Sequence, residues 1–385
     1  MRLRYGMNPH QAARLAGSGA APAPVRVVAG EPSLINLLDA LNGWQLVREA
    51  AGVTGAPAAA SFKHVSPAGV AVAGQLDDAA TGTWSPAASP GPLTSAYIRA
   101  RDADPKSSFG DMIAVSQAVD AELAGVLARV VADGIVAPGF EPGTVEVLAR
   151  KKGGTFLILE ADPAYQPPAW ESRDVFGLML EQERDLAPIT ADLLAGQPGL
   201  PAGAARDALL GLVTLRYTQS NSVALVRDGM TIGIGAGQQN RVDCVRLAGA
   251  KAATWWLRRQ PEIAALSVAA PSPSAERMTR QDRLNWQIRM AEADMTPLQR
   301  ADFGRLFPGV APGPAGRNEW IAQLDGVTLA SDGFLPFRDN IDQASRFGVR
   351  YVVEPGGSSR SDEVAAACAE HEMTLVRTGL RLFHH

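Results

Sequence analysis

The chain has 385 residues, of which 46% are hydrophobic and 20% charged, and its formal net charge is -4. Its length exceeds that of a usual single domain, so we expect two domains with large buried cores. The negative net charge, without a basic run or a stripe of basic and aromatic residues, argues against nucleic acid as a partner.

The lack of a recognisable targeting signal and the pattern of cysteines favour the cytoplasm. No segment approaches the roughly 20 uninterrupted apolar residues of a membrane span. The start, MRLRYGMNPHQ, lacks the apolar core of a signal peptide. The two cysteines, Cys244 and Cys368, match neither a disulfide framework nor a paired metal-ligand spacing, and we interpret them as buried thiols. We therefore expect a soluble cytoplasmic protein with no membrane partner.

The first elements of the chain are predicted from periodicity. Ser33 is a favourable N-cap residue, and residues 34–44 carry an apolar stripe at helical spacing that we interpret as core. Residues 73–93 contain Gly, Pro, Ser and Thr without periodicity and are predicted to form a surface excursion. A second helix is predicted for residues 94–101.

Between these helices, an apolar strand-like segment, AAASF, leads directly into Lys63 and His64, and a turn is predicted at Ser66 and Pro67. The pair is unusual because only five of the 36 Lys and Arg residues are lysine, and there are only five histidines. Ligands gather at the carboxyl ends of strands in open α/β sheets, which makes the pair a candidate site for proton transfer. The alternative is a histidine that caps a strand end beside an exposed lysine.

Two polar or glycine-rich segments follow later in the chain. YTQSNSV, residues 217–223, comes after a predicted helix that ends near Leu215, and its hydroxyl and amide groups suit either ligand orientation or a hydrogen-bonded turn. The glycines of GIGAGQQNR, residues 233–241, lack the G-x-G-x-x-G spacing, and no P-loop or zinc-deaminase motif occurs. We therefore expect no nucleotide cofactor.

Four polar residues near the chain ends or near a helix start are further candidates. Asp339 and Asn340, in LPFRDNID, lie at a predicted helix start, where helix capping is the simpler interpretation. Arg4 and Arg381 are isolated cations close to the two ends of the sequence, and each is suited to hold a phosphate.

An internal likeness favours two related α/β units. DGIVAPG at 133–139 and RYVVEPG at 350–356 are each an apolar strand closed by Pro-Gly after a helix-like stretch. The region around 161–203 is Pro-rich and is the best candidate boundary, whereas 307–316 is interpreted as a loop inside the second unit. The expected division is 1–175 for the first unit, 176–203 for the connection and 204–385 for the second unit.

Eight motifs together resemble a known family: LRYGMNPHQ, SFKHVSPAGVAV, SSFGDM, DGIVAPG, YTQSNSV, GIGAGQQNRVDCVRLAGAKA, LPFRDNID and LRLFHH. In this order, and over the whole chain, they are similar to the formyltransferase half of the bifunctional purine-biosynthesis enzyme. The resemblance implies transfer of the formyl group of 10-formyltetrahydrofolate to 5-aminoimidazole-4-carboxamide ribonucleotide (AICAR). The alternative is a catalytically idle nucleotide- or folate-binding regulator on the same fold.

The resemblance also carries expectations about architecture. It implies two tandem cytidine-deaminase-like, three-layer α/β units and an intertwined homodimer with active sites at the subunit interface. Roughly 200 residues that would form the family's cyclohydrolase domain do not occur in this sequence, so no ring closure to inosine monophosphate is expected from it. The stretches 73–93 and 308–316 look unlike typical members, and the resemblance leaves their conformations open.

Site roles follow from the resemblance residue by residue. His64 matches the general base, Lys63 the transition-state stabiliser, and Asn221 the amide that orients the formyl group. The matches to nucleotide-binding positions are Arg4, Tyr5, Gly110, Asp133, Lys152, Phe334 and Arg381. The matches on the folate side are Arg241, Asp339, Ser358 and Ser359. The matches to a structural potassium site of some members are Leu215, Thr218, Ser220, Ser222, Asp332, Leu382 and His384.

Overall fold

The computed structural model describes residues 1–16, 23–84, 89–195, 200–268 and 272–385. The strands are β1 (Arg2–Leu3), β2 (Ala13–Arg14), β3 (Val25–Ala29), β4 (Ala58–Lys63), β5 (Ser66–Val72), β6 (Asp111–Val115), β7 (Ala132–Ala137), β8 (Leu157–Ala161), β9 (Trp170–Val175), β10 (Leu178–Glu183), β11 (Val223–Arg227), β12 (Met230–Gly235), β13 (Val327–Ser331), β14 (Val349–Glu354) and β15 (Thr374–Arg377). The α-helices are α1 (Leu34–Thr54), α2 (Asp78–Trp84), α3 (Pro92–Ala103), α4 (Ala121–Leu127), α5 (Thr144–Ala149), α6 (Ala202–Arg216), α7 (Arg241–Leu257), α8 (Pro261–Ala264), α9 (Pro273–Glu276), α10 (Arg280–Glu292), α11 (Pro297–Leu306), α12 (Arg317–Ile321), α13 (Asp339–Ala344) and α14 (Ser361–Glu370).

The longer strands form one mixed sheet of an α/β fold. Their order across the sheet is β15-β14-β13-β11-β12-β5-β4-β6-β7-β8-β3. Strands β3–β8 form one half, or side, of this sheet, and strands β11–β15 form the other. The two halves meet edge to edge where β12 pairs antiparallel with β5 at Met230 and Ala71. The pairs β1–β2 and β9–β10 lie outside this sheet.

The same order of elements occurs in both halves of the sheet. On one side, α1 leads into the antiparallel hairpin β4–β5, and β6, β7 and β8 follow β4 across the sheet. On the other, α6 leads into the antiparallel hairpin β11–β12, and β13, β14 and β15 follow β11. In both halves the first of these three strands is antiparallel to the first hairpin strand, β4 or β11. The other two strands run parallel to that first one. The turns of the two hairpins therefore lie at equivalent positions.

Helices pack on both faces of the sheet. Ala59 of β4 is buried in a core that includes residues of α3, α4 and α7, whereas its neighbours Ala60 and Phe62 are buried with residues of α1 and α6. This division follows from the alternation of side chains along a strand. A smaller core joins α7, α10 and α11, where the Trp286 and Phe303 ring centroids lie 5.9 Å apart.

The prediction of the first helix is confirmed. Ser33 caps α1, because its hydroxyl accepts from Asn36 N while the Asn36 side chain accepts the backbone N–H of Ser33. The helix ends at Gly55, whose φ of 67° is typical of a C-terminal cap. The second predicted helix, 94–101, lies within α3, and both cysteines are buried free thiols, as expected.

The interpretation of residues 73–93 as an irregular surface excursion is wrong in part. They include α2, whose Trp84 is 3% exposed and donates from Nε1 to Asp102 Oδ1 at 2.9 Å. A helix of seven residues is too short to display apolar periodicity, so the sequence pattern gave no signal for it. Residues 85–88 of this stretch lie outside the described residues.

The two Pro-rich regions differ in structure. The region around 161–203 contains the hairpin β9–β10, which is exposed along nearly its whole length, and residues 196–199 lie outside the described part. The stretch 307–316 connects α11 to α12 without helix or strand, and its first residue, Phe307, is buried in the smaller core. Among the described residues, every helix is too short or too polar to cross a membrane.

Candidate functional site

Lys63 and His64 lie where β4 ends. Lys63 is the last residue of β4 and pairs with Ser66, the first residue of β5. The turn between them consists of His64 and Val65, with φ angles of 55° and 58°, so the predicted turn at Ser66 and Pro67 is wrong: these two residues already belong to β5. His64 is exposed. Left-handed angles favour Gly and are tolerated by Asn, Asp and His, whereas their use by the β-branched Val65 is the kind of local strain found at functional sites.

The Lys63 ammonium contacts the loop before β6, where Nζ donates to Phe109 O at 2.5 Å. A buried network fixes the end of this loop. Asp111 accepts from Ser61 Oγ at 2.6 Å and from Arg101 Nη1 at 2.8 Å. Burial raises the pKa of Asp111, although the Arg101 guanidinium acts in the opposite direction. Because the loop is anchored in this way, the position of the Lys63 ammonium is restricted too.

Three predicted nucleotide-binding residues lie together next to Phe109. Gly110 has a φ of 75°, and a Cβ built on it would be 3.9 Å from Asp133 Oδ1. Lys152 Nζ forms an ion pair with Asp133 Oδ1 at 2.6 Å, and both side chains are 43% exposed. Since Gly110 adjoins the residue that holds Lys63, this accessible charged pair belongs to the same surface as the Lys63–His64 turn.

Arg4 and Tyr5 are fixed at the start of α1. Arg4 N donates to Pro32 O at 2.9 Å, and Leu34 N donates to Tyr5 O at 3.0 Å. The Arg4 guanidinium lies 4.9 Å from the centre of the Tyr5 ring and donates to its hydroxyl at 3.1 Å. Arg4 is exposed and is therefore available to an anionic ligand.

The segment that carries Asn221 lies beside the Lys63–His64 turn. The link is direct, because Gln219 N donates to Ser66 Oγ at 3.2 Å. The Asn221 amide is oriented on both sides: Oδ1 accepts from Arg241 Nη2 at 2.7 Å, and Nδ2 donates to Gln238 O at 3.1 Å. Within one chain, the structure thus brings all three predicted catalytic residues into neighbouring segments.

Arg241, predicted on the folate side, is buried in this structure. Its guanidinium forms an ion pair with Asp332 and also donates to Ser222 O at 3.2 Å, in addition to its bond to Asn221. Arg241 is only 7% exposed and Asp332 is fully buried. The direct effect of Arg241 is therefore to fix the orientation of the Asn221 amide.

The residues of the predicted potassium site form a hydrogen-bonded cluster around Asp332. Ser220 and Ser222 donate their hydroxyls to Asp332 Oδ2 at 2.6 and 3.0 Å. His384 N donates to Ser220 Oγ at 3.0 Å, and Leu382 N donates to Asp332 O at 2.8 Å. Burial lowers the pKa of His384. The C-terminal segment is thereby attached to the Asn221 segment.

Arg381 and Phe334 adjoin this cluster. The Arg381 guanidinium lies 4.7 Å from the centre of the Phe383 ring, and the Arg241 guanidinium lies 6.0 Å from the same ring. Phe334 follows Asp332 by two residues and is 46% exposed. An exposed cation and an exposed ring thus lie close to the Asn221 segment.

The remaining residues predicted for the folate side follow two parallel strands, Asp339 at a helix start and Ser358 and Ser359 on a loop. Asp339 begins α13, as predicted, and accepts from the side chain of Asn340. Ser358 accepts from Arg360 N at 3.1 Å, and the Arg360 guanidinium lies 5.2 Å from the Phe337 ring. Ser359, the next residue to Ser358, is exposed. The loops after β13 and β14 therefore meet, as expected for the carboxyl ends of parallel neighbours.

Three groups in this region were missed by the sequence reasoning. They are the main-chain oxygens of Phe109 and Gln238 and the ring of Phe383. A main-chain acceptor has no signature in the residue type, so no pattern could have found the first two. Phe383 lies in LRLFHH, a motif already singled out, and its position beside Arg381 was the available signal.

Glu354 is a buried carboxylate beneath the loop after β13. It is 1% exposed, and its Oε2 accepts from Leu335 N at 2.7 Å. Its Oε1 lacks a hydrogen-bond donor among the described residues and lies 4.0 Å from Arg377 Nε. Burial raises the pKa of Glu354 above its usual 4.5. The ionised form is therefore less favourable in the folded than in the unfolded chain.

We expect Glu354→Gln to change the pH dependence of stability. A carboxyl with a raised folded-state pKa removes stability as pH rises from its unfolded value through its folded value. The free energy of unfolding of the wild type should therefore fall over that range, and the variant should show a smaller fall. Urea unfolding at a series of pH values measures both curves, and parallel curves would contradict the assignment.

The chain is similar to known proteins over its whole length. A family model described as AICARFT/IMPCHase bienzyme matches residues 1–251. The chain is 31% identical over 392 residues to the bifunctional purine biosynthesis protein PurH of Magnetococcus marinus. It is 32% identical over 391 residues to the protein of the same name from Roseobacter denitrificans, and 30% identical over 389 residues to that from Ruegeria pomeroyi.

These matches cover the whole of this chain and 59% of each relative. The chain thus spans about three-fifths of the length of the curated relatives it matches. The family model accounts for well over half of the sequence, including the Lys63–His64 turn and the Asn221 segment. On this evidence, the chain belongs to the AICARFT/IMPCHase bienzyme family.

Proposed function

We propose that this chain transfers the formyl group of 10-formyltetrahydrofolate to the 5-amino group of AICAR, giving formyl-AICAR and tetrahydrofolate in purine biosynthesis. The observation that carries the proposal is the contact between the Lys63–His64 turn and the Asn221 segment through Ser66 and Gln219. A base, a cation and an oriented amide are the groups that acyl transfer to an amine requires. We assign only formyl transfer to residues 1–385.

His64 acts as the general base. The amine of AICAR is a poor nucleophile because its lone pair is drawn into the imidazole-carboxamide system, so it must lose a proton as it attacks. An exposed imidazole on a turn is accessible to that proton. The new bond joins the amine nitrogen to the formyl carbon, and the bond between that carbon and the folate nitrogen breaks.

Lys63 stabilises the negative charge that develops on the formyl oxygen. An ammonium has three donors, and one of them goes to Phe109 O, which leaves two for the reacting groups. Lys63 is also able to give a proton to the departing folate nitrogen. Lysine is suited to both tasks because its charge is compact and its proton is mobile.

Asn221 orients the formyl group. Its Nδ2 carries two hydrogens, of which one is donated to Gln238 O, and we assign the other to the formyl oxygen. Because Arg241 holds the Oδ1 side of this amide, Arg241 contributes to the folate side through Asn221. Asp339, Ser358 and Ser359 are proposed to contact the folate directly, on the adjoining loops.

The nucleotide is proposed to bind on the surface that carries the exposed cations. Arg4 and Arg381, both exposed, are assigned to the phosphate, with Lys152 as an additional contact. Gly110, Asp133, Tyr5 and Phe334 complete the proposed nucleotide-binding set. Gly110 suits close approach of a ligand to the backbone because it has no side chain.

The proposed fold is a tandem pair of cytidine-deaminase-like units, with the division at 1–175, 176–203 and 204–385. The repeated order of helix, hairpin and three further strands on the two sides of the sheet supports it. A homodimer with active sites at the subunit interface is proposed as well. Its support is the hairpin β9–β10, where Phe176, Leu178 and Met179 are strongly exposed, since a two-stranded hairpin with exposed apolar side chains needs a packing partner.

A structural potassium ion is proposed at the Asp332 cluster. The predicted ligands offer oxygen donors, which a hard cation prefers. The backbone N–H of Thr218 donates a hydrogen bond to Leu215 O at 3.0 Å, so these two predicted ligands already lie together and the site is partly preorganised. Among the described residues, no group of three or more His, Cys, Asp or Glu is placed to hold a metal, so the Asp332 carboxylate would act together with main-chain and hydroxyl oxygens.

The donor specificity tests this proposal. The purified chain is expected to turn over AICAR with 10-formyltetrahydrofolate and to show no turnover with formate plus ATP, because the sequence has no phosphate-cradling loop for ATP. Mass spectrometry of the nucleotide identifies the product and also reports ring closure, which we do not expect. Turnover with formate plus ATP in folate-free protein would contradict the proposal, and binding of both ligands without turnover would favour the idle regulator.

A further inference from the structure

The turn that carries His64 has an ordinary counterpart in the same chain. The equivalent hairpin β11–β12 turns through Asp228 and Gly229, with φ angles of 52° and 76°. Asp-Gly is a preferred pair for such a turn, whereas His64 and Val65 are not preferred residues. Residues held in sparsely populated backbone regions cost on the order of 1–3 kcal/mol each and persist only where surrounding groups hold them.

A buried aspartate holds each of the two turns. Val65 N donates to Asp39 Oδ1 at 2.7 Å, and Gly229 N donates to Asp207 Oδ1 at 2.7 Å. Asp39 lies on α1 and Asp207 on α6, the two helices that lead into the hairpins. Both side chains are almost fully buried, at 6% and 3% exposed. The same device therefore fixes the second residue of each turn.

The Asp39 carboxyl lies against the His64–Val65 turn, because it accepts from Val65 N. Burial raises the pKa of Asp39, while the N–H of Val65, the positive charge of protonated His64 and the N–H of His64 act in the opposite direction. Asp133, in the proposed nucleotide site, is close enough to raise it further. Asp207 is instead paired with its neighbour Arg206 at 2.9 Å. The Asp39 carboxyl thus lies beside His64 on the buried side of the turn.

We propose that Asp39 is a positioning residue for His64. Asp39 holds the His64–Val65 turn in its left-handed conformation. It also stabilises the imidazolium that forms when His64 accepts the amine proton. This inference rests on the proposed function. The arrangement follows the logic in which a buried carboxylate orients a catalytic histidine, with the difference that here the carboxylate binds the backbone of the turn.

The test compares Asp39→Ala and Asp39→Asn with the matched control Asp207→Ala. Loss of the Asp39 carboxylate is expected to lower kcat on the order of 10- to 100-fold, the scale for a displaced catalytic group. The dissociation constant for AICAR should stay within about 2-fold, because the phosphate contacts remain. Asp39→Asn keeps an acceptor for Val65 N and should recover part of the loss. Asp207→Ala removes the same kind of bond at the ordinary turn and should leave kcat per folded molecule unchanged.

A second measurement does not depend on turnover. The ring resonances of His64, assigned with His64→Ala, are expected to move in Asp39→Ala and to stay in place in Asp207→Ala. Wild-type kcat and unmoved resonances in Asp39→Ala would overturn the inference, as would an equal loss of kcat in Asp207→Ala. If the wild type itself shows no turnover, the proposed function fails, and the resonances alone decide whether Asp39 holds the turn.

Discussion

His64→Ala is expected to lower turnover by roughly 10²- to 10⁴-fold, the usual scale for loss of a general base. The nucleotide should still bind, because the contacts proposed for Arg4 and Arg381 with the phosphate are unchanged. Steady-state kinetics beside equilibrium binding of AICAR measures the two effects separately. His371→Ala is the matched control, since that histidine is bonded to Asp342 and lies outside the proposed site.

The companion variants separate the roles within the site. Lys63→Arg keeps a cation but loses the compact, titratable ammonium, so a proton-donating role predicts a severe loss of turnover and a purely electrostatic role a mild one. Arg381→Ala should weaken nucleotide binding first. If His64→Ala retains near-normal turnover and loses affinity instead, His64 is a binding residue and the mechanism is wrong.

Asp102→Ala is expected to destabilise the fold by about 3–5 kcal/mol, the scale for removing one partner of a buried ion pair. Asp102 is 1% exposed and accepts from Arg258 Nη2 at 2.7 Å and from Arg259 Nη2 at 2.9 Å. Trp84 donates to the same carboxylate. Burial opposes ionisation of Asp102, yet the two guanidinium groups outweigh it and lower its pKa. The variant leaves the buried Arg258 guanidinium without its counter-charge, and Arg259 keeps only its pair with Asp77.

The Asp102 carboxylate lies between helices that belong to different halves of the sheet. Asp102 is on α3, which packs over the first hairpin, whereas Arg258 and Arg259 follow α7, which packs over the second. The network therefore joins the two halves of the sheet. Urea unfolding of Asp102→Ala measures the loss, with Asp325→Ala as control because its pair with Arg350 is at the surface and should contribute less than about 1 kcal/mol. Equal losses in the two variants would contradict the role of the network.

Local sequence patterns were sufficient for part of the fold. Helix α1 followed from Ser33 and the apolar stripe behind it, because capping and periodicity are local properties. The short α2 could not be predicted, since Trp84 is buried through a contact with Asp102 that only the tertiary structure creates. The hairpin β9–β10 was also missed, because its exposed strands lack the alternation of apolar and polar residues that marks a half-buried strand.

The candidate site shows the same division. Lys63 and His64 were found because two rare residues follow an apolar strand, a signal that is visible in sequence. The contact of Asp39 with Val65 spans 26 positions and leaves no local pattern. Arg241 was placed on the folate side by resemblance, and its burial against Asp332 becomes visible only when β13 and α7 are brought together. Sequence thus points to the proposed reacting groups more readily than to the groups that orient them.

The most direct measurement follows an isotope-labelled formyl group from 10-formyltetrahydrofolate in the presence of the purified chain and AICAR. We expect nuclear magnetic resonance to show the label on the 5-amino nitrogen of the nucleotide, with tetrahydrofolate in equal amount. We expect His64→Ala to retain bound nucleotide while the label stays on the folate. Label that remains on the folate with folded, nucleotide-bound wild-type protein would contradict the central claim.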